Sequence, residues 1–369
     1  MSQQGGEAPK KICVVLDTNV WVYRTLLLRT ALGAALTHSL VRLQGTLGLP
    51  EVLEMEIVKH TVREGRKSVD AITRGVSRLS KLTGLVGDHA HLVYTEVTLK
   101  EAAKKRLEEL CHLIERVPFT FDHARSALER VMDGTPPNGP DNQQYKDSAI
   151  WEAVLELSRE RVVHFVTKDM GFFADRKPGK GLAHNLKEEA DAVGAGIIAH
   201  HNLRTCLEAL NEDVTPLDPE ELAAAANRAV IEDLREIAAN QEFELADLTQ
   251  YSVSTFLTES TNVLAMSFEL TYEASVVPTE EGPLIDASLV VTGECSFDIP
   301  LKSASDVRLD WVRLLDPEGA LVPGKAISYL YGGAHLGSPP KTWPYEFKFP
   351  LNPHADLTDL LRTIQDYDR

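Results

Sequence analysis

Two acids stand where short apolar runs end. Val14-Val15-Leu16-Asp17-Thr18-Asn19 closes an aliphatic run on a carboxylate and two small polar side chains, and Val162-Val163-His164-Phe165-Val166-Thr167-Lys168-Asp169 repeats the form before a turn at Met170-Gly171. A buried parallel strand has this form, and open α/β sheets bind their ligands beyond the carboxyl ends of the strands. Asp17 and Asp169 are therefore expected to share one acidic site. Hard divalent cations take oxygen ligands, and phosphodiester hydrolysis needs such a cation to activate water and to stabilise charge on the phosphate oxygens. Carboxylates converging at strand ends meet that need.

The elements that must position these acids follow from the hydrophobic pattern. From Val14 to about Leu210 strands alternate with amphipathic helices, as in an α/β domain with a parallel sheet. Helix is predicted over Trp21 to Leu43, from Glu51, over Lys59 to Leu82, Leu99 to Leu113 and Phe121 to Met132, then over 145–159, near 183–193 and over 202–211. Strands are predicted at 47–50, at 162–167 and at 196–199. The stretch from Thr135 to Asn142, with three prolines and a glycine, is a loop placed either to gate the site or to serve as an exposed connection. Two prolines and several acids between Asp213 and Pro219 mark a boundary, after which an alanine-rich acidic helix, Glu220 to Asn240, is expected to bridge the halves. From Tyr251 the period changes to 2: Leu264, Met266, Phe268, Leu270 and Tyr272 alternate with polar residues, and Ala287 to Ile299 repeats the habit. That pattern predicts a small β-sandwich or sheet. The expected organisation is a domain over 1–215, a bridging helix and linker over 216–245 and an acidic β-rich domain over 246–369, ending in a short helix or tail at 358–369.

Three segments carry a resemblance: Val-Val-Leu-Asp-Thr-Asn (14–19), Tyr-Lys-Asp-Ser-Ala-Ile-Trp (145–151) and Phe-Val-Thr-Lys-Asp-Met-Gly-Phe-Phe (165–173). In order and spacing they resemble the motifs of PIN-domain metal-dependent ribonucleases, in particular a bacterial PIN-like branch with a long helical insert before the Lys-Asp-x-x-Ile-Trp element. The resemblance spans about residues 10–212; beyond 215 nothing is recognisable. It implies a PIN-like parallel sheet flanked by helices, an Mg²⁺- or Mn²⁺-dependent nuclease, and an RNA substrate. Carried over residue by residue, it implies Asp17, Glu56, Asp147 and Asp169 as metal-holding and catalytic acids, with Asn19 and Thr167 as polar residues supporting them. Glu56 is selected because the family's acid precedes an aliphatic residue, here Ile57; Glu54 is the alternative. Lys59 and Arg63, which follow Glu56 on one predicted helix, and Lys146 and Lys168, each beside an acid, are the expected substrate-binding cations.

Each acid also has an ordinary role open to it. Asp17 before small polar residues is what a helix N-cap looks like, Asp147 in a first helical turn is favoured by the helix dipole, and Asp169 suits a strand-to-turn junction. The basic group Lys59 to Lys67 is equally what a solvated helix face shows. A catalytically inactive PIN-like module that binds RNA or protein is accordingly the competing reading. A phosphatase forming an aspartyl-phosphate is the weaker rival, because the second Asp such enzymes place two residues on is Asn19 here. His200 and His201 project oppositely in a strand and are not expected to ligate one metal together.

Charge is divided unevenly. The net charge is −17, yet residues 1–216 are nearly balanced and residues 217–369 hold 10 Lys and Arg against 26 Asp and Glu. With several acids gathered in one site, the remaining surface of the first half is locally basic, which suits a polyanion. The acidic half is left to bind a basic protein partner, to shield the site or to confer solubility, and a fragment ending near Asp213 is expected to fold alone. Cys13, Cys111, Cys206 and Cys295 lack the spacing of a disulfide or zinc framework and are expected to be reduced packing residues. The N-terminus lacks a signal peptide's apolar core and no apolar run reaches about 18 residues, so a cytoplasmic protein without a membrane segment is expected. A toxin, a phage-defence effector and an RNA-processing enzyme are all compatible with this reading.

Overall fold

The structure, a computed structural model, describes residues 11–84, 94–139, 142–194, 196–210, 217–276 and 285–322. The expected terminal helix or tail at 358–369 lies outside the described residues. Five strands, β1 (Lys11–Leu16), β2 (Thr46–Pro50), β3 (Ile114–Val117), β4 (Arg161–Val166) and β5 (Gly196–His200), form one parallel sheet in the order β3-β2-β1-β4-β5. The chain steps outward from β1 through β2 to β3 and then returns to the other side of β1 with β4. The topological switch point therefore lies between β1 and β4, the crevice in which such sheets bind ligands. Val14, Val15, Leu16, Val163, Phe165 and Val166 are all but inaccessible, as strands covered on both faces must be.

Helices α1 (Ala31–Leu43), α2 (Glu51–Thr83), α3 (Glu96–Glu109), α4 (Phe121–Met132), α5 (Tyr145–Ser158), α6 (His184–Ala192) and α7 (Leu203–Leu210) surround this sheet. Three expectations need correction. The helix expected over Trp21 to Leu43 is broken: a π-helical turn, Val20–Arg24, gives way to Leu26, Leu27 and Leu28 at positive φ before α1 begins under a Thr30 cap. The break is held from outside, because Arg106 on α3 donates to the carbonyls of Leu27 and Leu28 at 3.0 and 3.1 Å, and Gly33 leaves room for the Leu28 backbone where a Cβ would come within 2.7 Å. The two helices expected from Glu51 and Lys59 are one continuous α2. The helix expected to end at Leu113 stops at Glu109 and is followed by β3, an edge strand of which Val117 is the buried member.

The C-terminal half is a four-stranded antiparallel meander, β6 (Phe243–Leu257), β7 (Val263–Val276), β8 (Ile285–Asp298) and β9 (Ser303–Leu315). It is a single sheet, with a helix where a sandwich would have its second sheet. That helix, α8 (Pro219–Asn240), is the one expected to bridge the halves; it lies on the meander, where Leu222, Ala226, Val230 and Leu234 share a core with Met266, Phe268, Leu270 and Tyr272. The opposite face meets the first half. Helix α1 packs across β6, β7 and β8, and Phe256 and Ala265 belong to the core of the parallel sheet.

Candidate functional site

Four carboxylates gather at the switch point. Asp17 follows β1 directly: its amide donates to the Val166 carbonyl of β4 at 2.9 Å, and its own carbonyl accepts from Val20 and Trp21 as the π turn begins. Its side chain is 5% exposed and accepts a hydrogen bond from the Thr167 hydroxyl at 3.0 Å. The same hydroxyl accepts from the Asp169 amide at 3.0 Å, so one oxygen ties the acid of β1 to the turn after β4. Asp169 Oδ1 in turn accepts from the Gly171 amide at 2.6 Å, closing a short 3₁₀ turn. Gly171 is required there, since a Cβ would come within 2.5 Å of the Pro137 carbonyl oxygen.

Glu56 arrives from the second turn of α2 and Asp147 from the first turn of α5. Glu56 accepts from the Thr18 hydroxyl at 3.0 Å and pairs with Lys146. Glu54 points elsewhere, to Arg116 on β3 at 3.0 Å, so the geometry brings Glu56 and not Glu54 to the cluster. Asp147 stands apart from the other three: among the described residues its carboxylate accepts no hydrogen bond. Burial, and then the charges of Asp17, Asp169 and Glu56, push it up to about 8 against a smaller opposing effect of Lys146. Asp17 is pushed up to about 6, by burial first and by Asp169 and Glu56 next, although hydrogen bonds from Thr167 and the Thr18 amide oppose the shift.

Two residues absent from the sequence reading complete the frame. Gln144 donates to Asp169 Oδ2 at 2.7 Å, and Asn138 accepts from the Gln144 amide at 2.6 Å while donating to Ser148 on α5 at 3.0 Å. The proline-rich loop is thereby fastened to the start of the helix that carries Asp147. The available signal was adjacency: a buried Asn in a loop that feeds directly into Tyr145-Lys146-Asp147 is a residue with backbone groups to satisfy. Asn19, expected beside the acids, is exposed at the start of the π turn.

The four expected cations separate. Lys146 sits on Glu56, and Lys59 is exposed on α2 near His60 and Glu56. Arg63 bonds the Tyr23 hydroxyl and Glu64. Lys168 faces the meander rather than the acids: its charged neighbours are Arg24, Asp310 and Arg313, and burial followed by Arg24 lowers it to about 8.

The donor set suits a hard divalent cation, being made of carboxylate oxygens with one of them uncompensated. A pH dependence follows for the protein stripped of divalent ions. Both Asp17 and Asp147 have folded values raised above the usual carboxylate range, so their penalty is absent in acid and complete above about 8. The melting temperature in EDTA is expected to rise as pH falls from about 8.5 to about 5.5, and Mn²⁺ is expected to narrow that difference by stabilising most where its ligands are deprotonated. A metal-free melting temperature that falls over this interval would contradict the cluster.

A PIN-domain family model matches residues 14–173. No curated protein and no solved structure matches the chain. The matched segment runs from inside β1 to the turn after β4 and contains Asp17, Glu56, Asp147 and Asp169. The similarity to the PIN-domain family is thus carried by residues 14–173, the segment that supplies all four acids.

Proposed function

We propose that this protein is a Mg²⁺- or Mn²⁺-dependent nuclease that hydrolyses phosphodiester bonds in RNA, with Asp17, Glu56, Asp147 and Asp169 holding the ion. PIN domains are typically metal-dependent nucleases, and the observation that carries the reading here is the uncompensated Asp147 among three other acids at the switch point. A divalent cation bound there supplies the positive charge that activates water and neutralises the phosphate oxygens. The chain's own part is to fix the donors in advance. Thr167 holds Asp17 and the Asp169 backbone in register, Gln144 and the Gly171 amide orient Asp169, and Thr18 orients Glu56. Lys146 places an ammonium at the edge of the cluster, where it would be free to meet a substrate phosphate if Glu56 held an ion instead. Lys59 extends that surface along α2.

A silent binding module draws its support from the same Lys146, since an ion pair on Glu56 satisfies one acid without a metal. Asp147 weighs against it, because three like charges around a half-buried carboxyl that accepts no hydrogen bond among the described residues cost stability that a module without catalysis has no use for. Among the described residues no helix is long and apolar enough to cross a membrane. The test is cleavage of labelled single-stranded and hairpin RNA, with the matching DNA alongside, by the full chain in Mg²⁺ or Mn²⁺. RNA cleavage that EDTA stops is expected. Cleavage persisting in EDTA removes the metal mechanism, and RNA binding without cleavage in either ion favours the silent module.

A further inference from the structure

A second group of ligand-type side chains lies under the same sheet, away from the carboxylates. His164 on β4 and His200 on β5 occupy one face of the sheet: His164 is opposite Ile198, and His200 is two residues further along the same strand. Their rings stack at 5.2 Å between centroids, 6° from parallel, with His164 Nδ1 and His200 Nε2 3.0 Å apart. Cys206 of α7 completes the group, and the three ligand atoms lie within 4.8 Å of one another. All three side chains are buried, at 5%, 7% and 0% exposure.

We propose that His164, His200 and Cys206 form a binding site for a zinc-type divalent cation, joining the two outer strands of the sheet to α7. Imidazole and thiolate are the donors zinc prefers, whereas the carboxylate cluster is suited to Mg²⁺ or Mn²⁺, so the two sites select different ions. Bond lengths of about 2.0–2.1 Å to nitrogen and about 2.3 Å to sulfur put tetrahedral ligand atoms roughly 3.5 Å apart. The facing nitrogens are 3.0 Å apart and all three ligand atoms lie within 4.8 Å of one another, so small side-chain adjustments suffice. The position of His164 is also unusual for packing alone: it interrupts Val162-Val163-His164-Phe165-Val166, in a strand buried on both faces where an aliphatic residue has no polar atom to satisfy. On binding, the proton shared between the rings moves to a far ring nitrogen, both facing nitrogens become ligands, and the thiol proton leaves to solvent.

The site is connected to the acids through backbone. The His200 carbonyl accepts from the Thr167 amide at 2.9 Å, and Thr167 is the residue whose hydroxyl holds Asp17 and the Asp169 amide. An ion at the His-His-Cys group thus steadies the strand end that carries the carboxylates.

The experiment strips the full chain with a strong chelator and titrates it with Co²⁺, a spectroscopic stand-in for zinc. One equivalent is expected to produce a thiolate-to-cobalt charge-transfer band and tetrahedral d–d bands, both removed by adding Zn²⁺. Cys206→Ser is expected to lose the charge-transfer band while keeping its melting response to Mn²⁺, and Cys111→Ser, at an exposed thiol, to retain both. Absence of the band in the wild type overturns the proposal whatever the variants do, and so does its persistence in a folded Cys206→Ser. If Cys206→Ser does not fold, His200→Gln replaces it: loss of the tetrahedral d–d bands supports the site, and an unchanged spectrum overturns it.

Discussion

Asp147→Asn is expected to lower RNA cleavage by more than about 100-fold, beyond what loss of a residue merely supporting a metal ligand costs, while the metal-free protein melts at the same temperature or higher. The two halves of that expectation have one cause. Asp147 is pressed by burial and by three other acids, and its carboxylate accepts no hydrogen bond among the described residues. Two unit charges about 5 Å apart repel by roughly 3 kcal/mol at an effective dielectric near 20, whereas an acid in a first helical turn gains only about 0.3–1 kcal/mol from the helix dipole. Removing the charge therefore relieves more than it loses. The same charge is what a cation binds, so the variant is also expected to show a smaller melting shift with Mn²⁺. Paired melting curves with and without Mn²⁺, beside a cleavage assay, decide the matter. Full activity, or an unchanged Mn²⁺ shift, would return Asp147 to the role of an ordinary helix-start acid.

Arg308→Ala is expected to cost about 3–5 kcal/mol of stability, the range for breaking a buried ion pair by removing one partner. Arg308 and Glu294 face each other across β9 and β8, and both are under a tenth exposed. The guanidinium reaches over to the first half of the molecule and donates to the Tyr23 and Arg24 carbonyls, the end of the π turn that begins beyond Asp17. Glu294 accepts from the Leu32 amide at 3.1 Å, and burial, with Asp310 adding to it, pushes its carboxyl up to about 7. Without Arg308 that carboxyl loses its nearest cation and two carbonyls lose their donors. Urea denaturation measures the loss. Replacing both members by Met and Leu is expected to recover much of it, because an apolar pair leaves no charge stranded. A single-variant loss under about 1 kcal/mol would mean the contact is superficial. The same interface revises the expectation for a fragment ending near Asp213: it exposes the surface covered by Phe256 and Ala265 and leaves the π turn unbraced, so lower solubility and stability are expected of it.

What the sequence made legible depended on how local its cause was. Strands β1 and β4 were readable because a strand buried on both faces is a continuous apolar run, and their end acids stood out against it. Phe121 to Met132 was readable from its 3.6-residue period. The turn over residues 20–30 was not, because Arg106 and Arg308, far away in sequence, supply its hydrogen bonds. Strand β3 was hidden by being four residues long and half-exposed. Lys168 was misplaced for a related reason: adjacency to Asp169 fixes its backbone, while alternation past the strand sends its side chain toward the meander. The facing of His164 and His200 needed the strand order, which periodicity cannot supply.

Helix α2 has a further consequence in its motions. Its buried residues, Leu53 and Ile57, both lie in the first two turns, and from Arg66 on most of its side chains are exposed. A helix so anchored starts from a formed nucleus, so each later turn needs only propagation, and the distal turns can open and close without the base opening. Amide exchange is then graded along a single rod, slowest near Glu56 and fastest toward Thr83. The segment beside the acids keeps the protection of the core while the far end fluctuates.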